Sequence, residues 1–507
     1  MEFQVLATRG IGGYRQYRIP ALAITKSGRL IAIYDARPDI DDLPSPIDLV
    51  IRHSDDGGLT WSAQKIFREH EGITGYGDAS IIVDPTIGNF GRVIVFKQVT
   101  KLAGFFESKL GSDVNDPMIA HIEISISDDN GESWKHQIIT SQVKDEDTLG
   151  IFAASGCGSF VKSGEYKGRL LQNFLLRKRG ELIAAIGFSD DHGENWALGA
   201  MIPNGNESKS IGLTDGSILV HSRARPHRIS SRSIDGGISL SYSAPDLELP
   251  DPSDNGSLTL LSDGSIICSH NHDEDLRKNL VIKRSFDGGV TWPEALIVEA
   301  GSSAYSSCAQ LSDGQIGILF ERNGYSEMVF ASVGLHEFKS TAEILKKANK
   351  VTFDVVLRYI YPARISDLPT KRIEVEVPDI SIYGAFQGKE IGKPIQTAGK
   401  IDIFTWEEFD SLLGPIKPGL HEGDELRFSG RLANFSDKDL QNICVENNQG
   451  FRFNQELLKA GEKVLFMDVR YKVTSEDIAK GAVNVIFKWS ADGFENGTIY
   501  AYSARTE

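Results

Sequence analysis

The sequence predicts an all-β chain in two parts, and three patterns predict it. Up to about residue 340 it consists of short alternating or apolar runs broken by Gly, Asp and Ser, with no convincing long helix. Within that region an octapeptide keeps returning, and a turn followed by an apolar strand recurs with a period of its own.

The octapeptide is SDDGGLTW at Ser54, SDDNGESW at Ser127, SDDHGENW at Ser189 and SFDGGVTW at Ser285, with a worn copy, SIDGGISL, at Ser233. Each copy follows a candidate strand, so it reads as a hairpin turn. Its Asp can accept bonds from the N–H groups of its own turn, and its Gly supplies the positive φ that the reversal needs. Trp61, Trp134, Trp196 and Trp292, four of the six tryptophans, hold the same place in the motif. That repetition marks them as packing plugs over the turns and not as a platform for stacking a ligand.

The second recurrence is SGRLIAIY at 27, GRVIVF at 91, GRLLQNF at 168, DGSILVHS at 215, DGSIICSH at 263 and DGQIGILFE at 313. These repeats suit a six-bladed β-propeller over residues 1–340, each blade giving one such strand to the inner rim. After residue 340 the texture changes. TAEILKKANK reads as a short helix or linker, and VTFDVVLRYIY, RIEVEV, DELRFSGRLANFS, KVLFMDVRYKVTS, AVNVIFKWS and TIYAYSA read as strands. Together they predict an immunoglobulin-like β-sandwich over 341–507, with TWEEFDSLLG as an inserted helical turn or two.

Composition narrows the function. The chain has 54 Lys and Arg against 70 Asp and Glu, a net charge of −16, which repels phosphate backbones, so no nucleic-acid partner is expected. Cys157, Cys268, Cys308 and Cys444 lack CxxC spacing and read as free thiols. No apolar run is long enough to cross a bilayer, and MEFQVLATRGIGGYR lacks the apolar core of a secretory signal; a cytoplasmic chain is the expectation. HNHDEDL at 270 to 276 reads as a solvated loop, and RGIGGY at 9 to 14 has no helix behind it to bind phosphate, so neither a metal nor a cofactor is expected. NES at 206, NGS at 255, NFS at 434 and NGT at 496 are sequons, and a glycan on Asn206 would crowd a candidate residue next to it, which favours a bacterial or unglycosylated setting.

In YRIPAL at 17 to 22, Arg18 stands just ahead of an apolar strand and beside Ile and Pro, which fixes its direction. YRIPA together with the repeated SxDxGxTW turns resembles the bacterial exo-α-sialidases, six-bladed propellers whose Asp boxes match these octapeptides. The resemblance runs from about Tyr17 to about Arg322. It implies a triad of arginines that grips the substrate carboxylate: Arg18, Arg223 after DGSILVHS, and Arg277 in RKNLVIKRS, with Arg225, Arg228 and Arg232 as competitors for the second position. Guanidinium groups suit this task because their planar donor pairs match a carboxylate.

The same resemblance implies Asp42 as acid/base, with Asp41 and Asp39 as neighbouring competitors, Glu207 in NES as the base, and Tyr305 in AYS as the nucleophile. A tyrosine in place of a carboxylate nucleophile is the known exception among retaining glycosidases. An anion attacking a carbon that already bears a carboxylate would be repelled, and a phenol activated by Glu207 avoids this. Asp42 is expected to have a pKa lifted by partial desolvation. Arg37 is implied at a ring hydroxyl, Asp78 near the N-acetyl group although GDAS stands where the family has an SDPS-like run, and Glu321 behind the first triad arginine. The implied activity is release of terminal α-linked sialic acids from glycans with retention, through a tyrosyl intermediate. A transglycosylase on the same fold, intramolecular or not, and a sialic-acid-binding lectin are the alternatives.

Overall fold

The computed structural model describes residues 1–38, 40–345, 350–361, 381–382, 395–396, 419–493 and 500–506. The RIEVEV and TWEEFDSLLG segments, Asp39 and the NGT sequon lie outside the described residues.

Among the described residues the regular structure is almost entirely strand. The first four-stranded antiparallel sheet runs Gln16–Ile24, Leu30–Arg37, Asp48–Ser54, Lys65–Arg68. The next three begin with Gly75–Asp84, Thr148–Ala153 and Ser208–Gly212 and repeat that meander. Two more share the long strand Glu294–Gln310: its early residues pair with Lys278–Ser285, its later ones with Ile316–Arg322. The last sheet is completed by the N-terminal strand Glu2–Thr8, which pairs with Glu327–Val333. One hydrophobic cluster joins each sheet to the next, and a cluster containing Tyr17, Leu22, Tyr34, Leu319 and Phe330 joins the last sheet to the first, so the sheets close into a ring. The core of this β-propeller therefore lies between its blades, and at ~1.5–3 kcal/mol per buried large side chain these clusters supply most of what holds the ring.

The octapeptides sit where they were expected, on the hairpins between third and fourth strands. In the first copy Gly58 N donates to Ser54 Oγ at 2.9 Å and Thr60 N to Asp56 Oδ1 at 2.9 Å, and the other four repeat both bonds. The motif Gly is also a contact point. A Cβ on Gly193, whose φ is +87°, would lie 2.2 Å from Ile94 of the preceding blade. Arginines stitch neighbouring turns together: Arg92 binds Asp128 of its own blade and Glu194 of the next. The last blade has no octapeptide because its fourth strand comes from the N-terminus.

One expectation is corrected. The recurring turn-plus-strand units are the second strands of their blades, as Leu30–Arg37 is in the first. The strands against the axis are the first ones, where Gln16–Ile24 touches Gly75–Asp84 and Glu294–Gln310. These carry more polar and bulged sequence, which hides their periodicity.

Beyond residue 350, Val351–Tyr361, Glu425–Asn434 and Lys463–Lys472 form one sheet, and Arg452–Leu458, Leu440–Asn447, Ala482–Ser490 and Tyr500–Arg505 another. A single cluster including Phe353, Leu357, Phe428, Val445 and Phe487 lies between them. This unit docks on the loop containing HNHDEDL, which is not solvated as expected. Asp273 and Asp275 are buried, Arg431 reaches both as well as Asp354, and Lys463 reaches Glu274 and Asp275. The acidic run is thus an ion-pair socket, one residue before Arg277.

Candidate active site

The first strands present their side chains to the axis through irregularities. Register shifts fall between Arg18 and Ala21, between Gly77 and Ser80, and between Ser303 and Ser306, the three stretches that carry Arg18, Asp78 and Tyr305. A bulge turns a side chain that would face a neighbouring sheet towards the rim instead. Ile19 has a φ of 62°, a conformation costing ~1–3 kcal/mol for a β-branched residue. It is held by Glu321, whose Oε1 accepts from Ile19 N at 2.7 Å and from Arg18 Nε at 3.1 Å. Oε2 of the same carboxylate accepts from Arg18 Nη2 at 3.3 Å and from Tyr305 N at 3.1 Å. One fully buried carboxylate thus fixes two inner strands and one guanidinium.

Arg18, Arg223 and Arg277 converge. Their Cζ atoms lie 5.4, 5.8 and 5.5 Å from the centroid of the Tyr305 ring. Each has its own anchor. Arg223 donates to Ser253 Oγ at 3.1 Å and also bonds Glu207, while Arg277 donates to Tyr325 Oη at 2.7 Å and pairs with Asp254 at 3.5 Å. The competitors for the second position go elsewhere: Arg225 to Asp275, Arg228 to Asp251, and Arg232 to the carbonyl of Gly288.

Tyr305 Oη donates to Glu207 Oε2 at 2.5 Å and accepts from Arg223 Nη1 at 2.7 Å. Burial drives the phenol well above its ordinary pKa; Arg223 opposes this and the Glu207 charge adds to it. Burial also pushes the Glu207 carboxyl up, but Arg223, the phenolic bond and Lys209 outweigh it and leave the group below its usual range. The pair is therefore a protonated phenol beside an ionised carboxylate. Oε1 of Glu207 accepts from Ser155 Oγ and from Asn255 Nδ2, both at 3.1 Å, and Asn255 Oδ1 accepts from the buried Lys209 ammonium at 2.9 Å.

Asp42 lies on the loop after Leu30–Arg37 and bonds Arg37 Nη1 at 2.5 Å with its side chain 64% exposed. Here an expectation fails. Its partial burial raises the pKa, but Arg37, Arg18 and Arg277 lower it further, so the carboxyl lies below its ordinary value and is not lifted. Arg37 is itself fixed by Asp35, which takes its Nε at 3.1 Å and its Nη2 at 2.7 Å. Asp78, at a φ of 59°, donates its N–H to Asp35 Oδ1 at 3.2 Å, and its carboxyl is raised well above the usual range by burial and by the charges of Asp35 and Asp42. Asp41 presents its carbonyl oxygen to Arg37 Nη1 at 3.1 Å.

All of Arg18, Asp42, Asp78, Glu207, Arg223, Arg277 and Tyr305 line one cavity of about 300 Å³, at the lower end of small-molecule sites. Arg37 and Glu321 stand behind that wall. Phe105, Phe106 and Phe152 give it an apolar side, and Arg358, Tyr359 and Tyr361 from the second unit complete its rim. Sequence reasoning missed Asp35, Asp254, Asn255, Ser155 and Tyr325. Asn255 was visible only as a sequon, yet it is buried against Glu207, and Asn434 of another sequon is buried as well.

A ring of four-stranded antiparallel sheets, with a pocket on its axis that combines three guanidiniums, a hydrogen-bonded Tyr–Glu pair and a carboxyl at the mouth, defines the class: a β-propeller with an axial site for an anionic ligand. Residues 28–318 match the BNR repeat-like domain, and the chain belongs to that family. It is 35% identical over 336 residues to a sialidase of Micromonospora viridifaciens, covering 63% of this chain and 52% of that one. It is 28% identical over 346 residues to a sialidase of Bacteroides fragilis, covering 63% and 62%. The chain thus spans between half and two thirds of the length of these relatives. Among solved structures, a Hadza microbial sialidase is similar at a TM-score of 0.56 and 26% identity, over 64% of this chain and 66% of that one. A leech intramolecular trans-sialidase shares the fold at a TM-score of 0.57 and 20% identity, over 66% and 71%.

Proposed function

We propose that this chain is an exo-α-sialidase that removes terminal α-linked sialic acids from glycans with retention of configuration. The observation that carries the reading is the Tyr305–Glu207 bond of 2.5 Å beneath three converging arginines. A carboxylate on the anomeric carbon, gripped by Arg18, Arg223 and Arg277, would bring that carbon over the phenolic oxygen. Glu207 takes the phenolic proton as the oxygen bonds to carbon, and Asp42 gives a proton to the departing glycan oxygen. In the second half, Asp42 takes a proton from water, the water oxygen bonds to the same carbon, and the phenolate leaves and recovers its proton from Glu207. Two inversions give net retention.

The arginines do more than bind. In a site shut off from water each charge-assisted bond contributes ~1.5–3 kcal/mol, enough to orient the sugar for attack. Asp78 and the apolar wall of Phe105, Phe106 and Phe152 suit a substituent with one polar and one methyl end.

Tyr305→Phe removes the nucleophile and keeps the ring, so turnover of a fluorogenic sialoside is expected to fall by about 10³-fold or more while the sugar still binds. NMR of the wild-type product should show the α-anomer first. Undiminished turnover in the variant overturns the nucleophile, and a bicyclic anhydro sugar as product overturns hydrolysis in favour of intramolecular transfer.

A further inference from the structure

The rim residues Arg358, Tyr359 and Tyr361 belong to the first strand of the second unit, Val351–Tyr361, and nothing in the mechanism uses them. The strand has a register shift between Leu357 and Tyr359, so Arg358 is the displaced residue, aimed away from the sheet and into the cavity. Tyr359 is buried in one cluster with Ile19, Ala304, Tyr305 and Tyr325, and Ile40 and Tyr361 pack against that cluster. Packing of both on one cluster, with the Asp41 charge reaching the Tyr361 phenol, sets the strand beside the loop that carries Asp42, which is the side from which the leaving oxygen must be protonated.

Arg358 differs from the other cations in the cavity. Arg18, Arg223 and Arg277 each have a carboxylate partner. Among the described residues Arg358 has only the face of its neighbour Tyr359, with its Cζ 5.6 Å from the ring centroid. Behind the tyrosines, Arg427 is already paired with Glu425 and Asp468. A half-buried guanidinium held at a rim by an aromatic face, with no acceptor for its donors among the described residues, is suited to an anion that arrives with the ligand.

We propose that the second unit supplies the leaving-group subsite, and that Arg358 selects glycans whose penultimate sugar carries an anion, a second sialic acid carboxylate or a sulfate. This rests on the functional reading above, because only that reading makes Asp42 the marker of the leaving-group side. Tyr359 and Tyr361 then provide an aromatic wall for the sugar ring, and the socket formed by Arg431 with Asp273 and Asp275 keeps the wall in register with the cavity.

The test compares kcat/KM of the full chain on three substrates: an α-linked sialic acid dimer, sialyllactose, and sialyllactose sulfated on galactose. Arg358→Gln should lower kcat/KM about five- to tenfold on the dimer or on the sulfated substrate and leave sialyllactose within twofold, and Arg358→Lys should restore part of the loss. A loss on the dimer alone assigns the carboxylate, and a loss on the sulfated substrate alone assigns the sulfate. Equal losses on all three substrates, or no loss on any, overturn the subsite while leaving the hydrolase intact. A wild-type chain that releases sialic acid from none of them overturns the hydrolase first and the subsite with it.

Discussion

Glu321→Gln tests whether one buried carboxylate holds the site together. The glutamate accepts four bonds, two at each oxygen: Arg18 Nε and Ile19 N at 3.1 and 2.7 Å, Arg18 Nη2 and Tyr305 N at 3.3 and 3.1 Å. Glutamine keeps one carbonyl oxygen and turns an amide NH2 towards two donors. Arg18, with 9% of its side chain exposed, then loses its counter-charge. Removing one partner of a buried pair costs ~3–5 kcal/mol, because the remaining charge stays out of water. An unfolding entropy of about 2.1 cal/mol/K per residue over the roughly 340 residues of the propeller gives ~0.7 kcal/mol/K, so the thermal midpoint should fall by about 4–7 °C. Tryptophan fluorescence follows it, since Trp196 and Trp292 are buried between blades. KM should rise as well, because Arg18 loses its direction. A midpoint within 1 °C of wild type with an unchanged KM would refute the idea that Glu321 fixes Arg18 and the Tyr305 strand.

The octapeptides should behave as scaffold. Ser285→Ala deletes the buried hydroxyl that accepts from Gly289 N at 2.9 Å, and should cost ~1–3 kcal/mol in urea denaturation without changing kcat/KM. Lys209→Met removes a cation that helps hold Glu207 below its usual pKa, so the acidic limb of kcat/KM should move to higher pH by up to about one unit; a shift to lower pH would reverse the sign of the argument. For Asp42, Arg18 and Arg277 are among the charges that depress the carboxyl, and a bound carboxylate would neutralise part of their field. The acid must be protonated to act, so the basic limb of kcat, which reports the complex, should lie at higher pH than that of kcat/KM, which reports the free enzyme; coincident limbs would remove Asp42 as the acid.

What was legible in the sequence followed from local chemistry. The octapeptide turns close within eight residues, so their Ser, Asp and Gly announce the hairpin without help from the rest of the chain. The second strands were visible as apolar runs because both of their faces pack between blades, as the continuous burial of Leu30–Arg37 shows. The first strands were not visible as such, since their bulges at Ile19, Asp78 and Tyr305 break the period that would mark them. Strands Leu440–Asn447 and Arg452–Leu458 were missed because polar residues such as Gln441, Asn442, Asn454 and Gln455 interrupt their apolar pattern. In the site, Arg18 and Tyr305 stood in recognisable motifs, as did their partners Glu321 and Glu207, but the residues that hold Arg277 and Glu207 in place did not. Asp254 and Asn255 lie in PSDNGS, a string of turn formers, and only the fold brings Asn255 to Glu207. The HNHDEDL socket was misread for the same reason: Arg431 lies 158 residues away.

The cost of the site is small beside what the ring supplies, and this is why the strain persists. Ile19 and Asp78 at positive φ cost together a few kcal/mol, about the burial of one or two of the large apolar side chains that each inter-blade cluster holds in number. The harder demand is electrostatic. Four arginines with little access to water, Arg18, Arg37, Arg223 and Arg277, must each meet an acceptor before any ligand arrives, and the chain meets it with Glu321 for Arg18, Asp35 and Asp42 for Arg37, Glu207 for Arg223 and Asp254 for Arg277. Those pairings leave the three triad guanidiniums grouped around the Tyr305 ring. A ligand carboxylate therefore enters a site whose desolvation was met on folding, and its binding free energy goes into orientation and not into assembling the arginines.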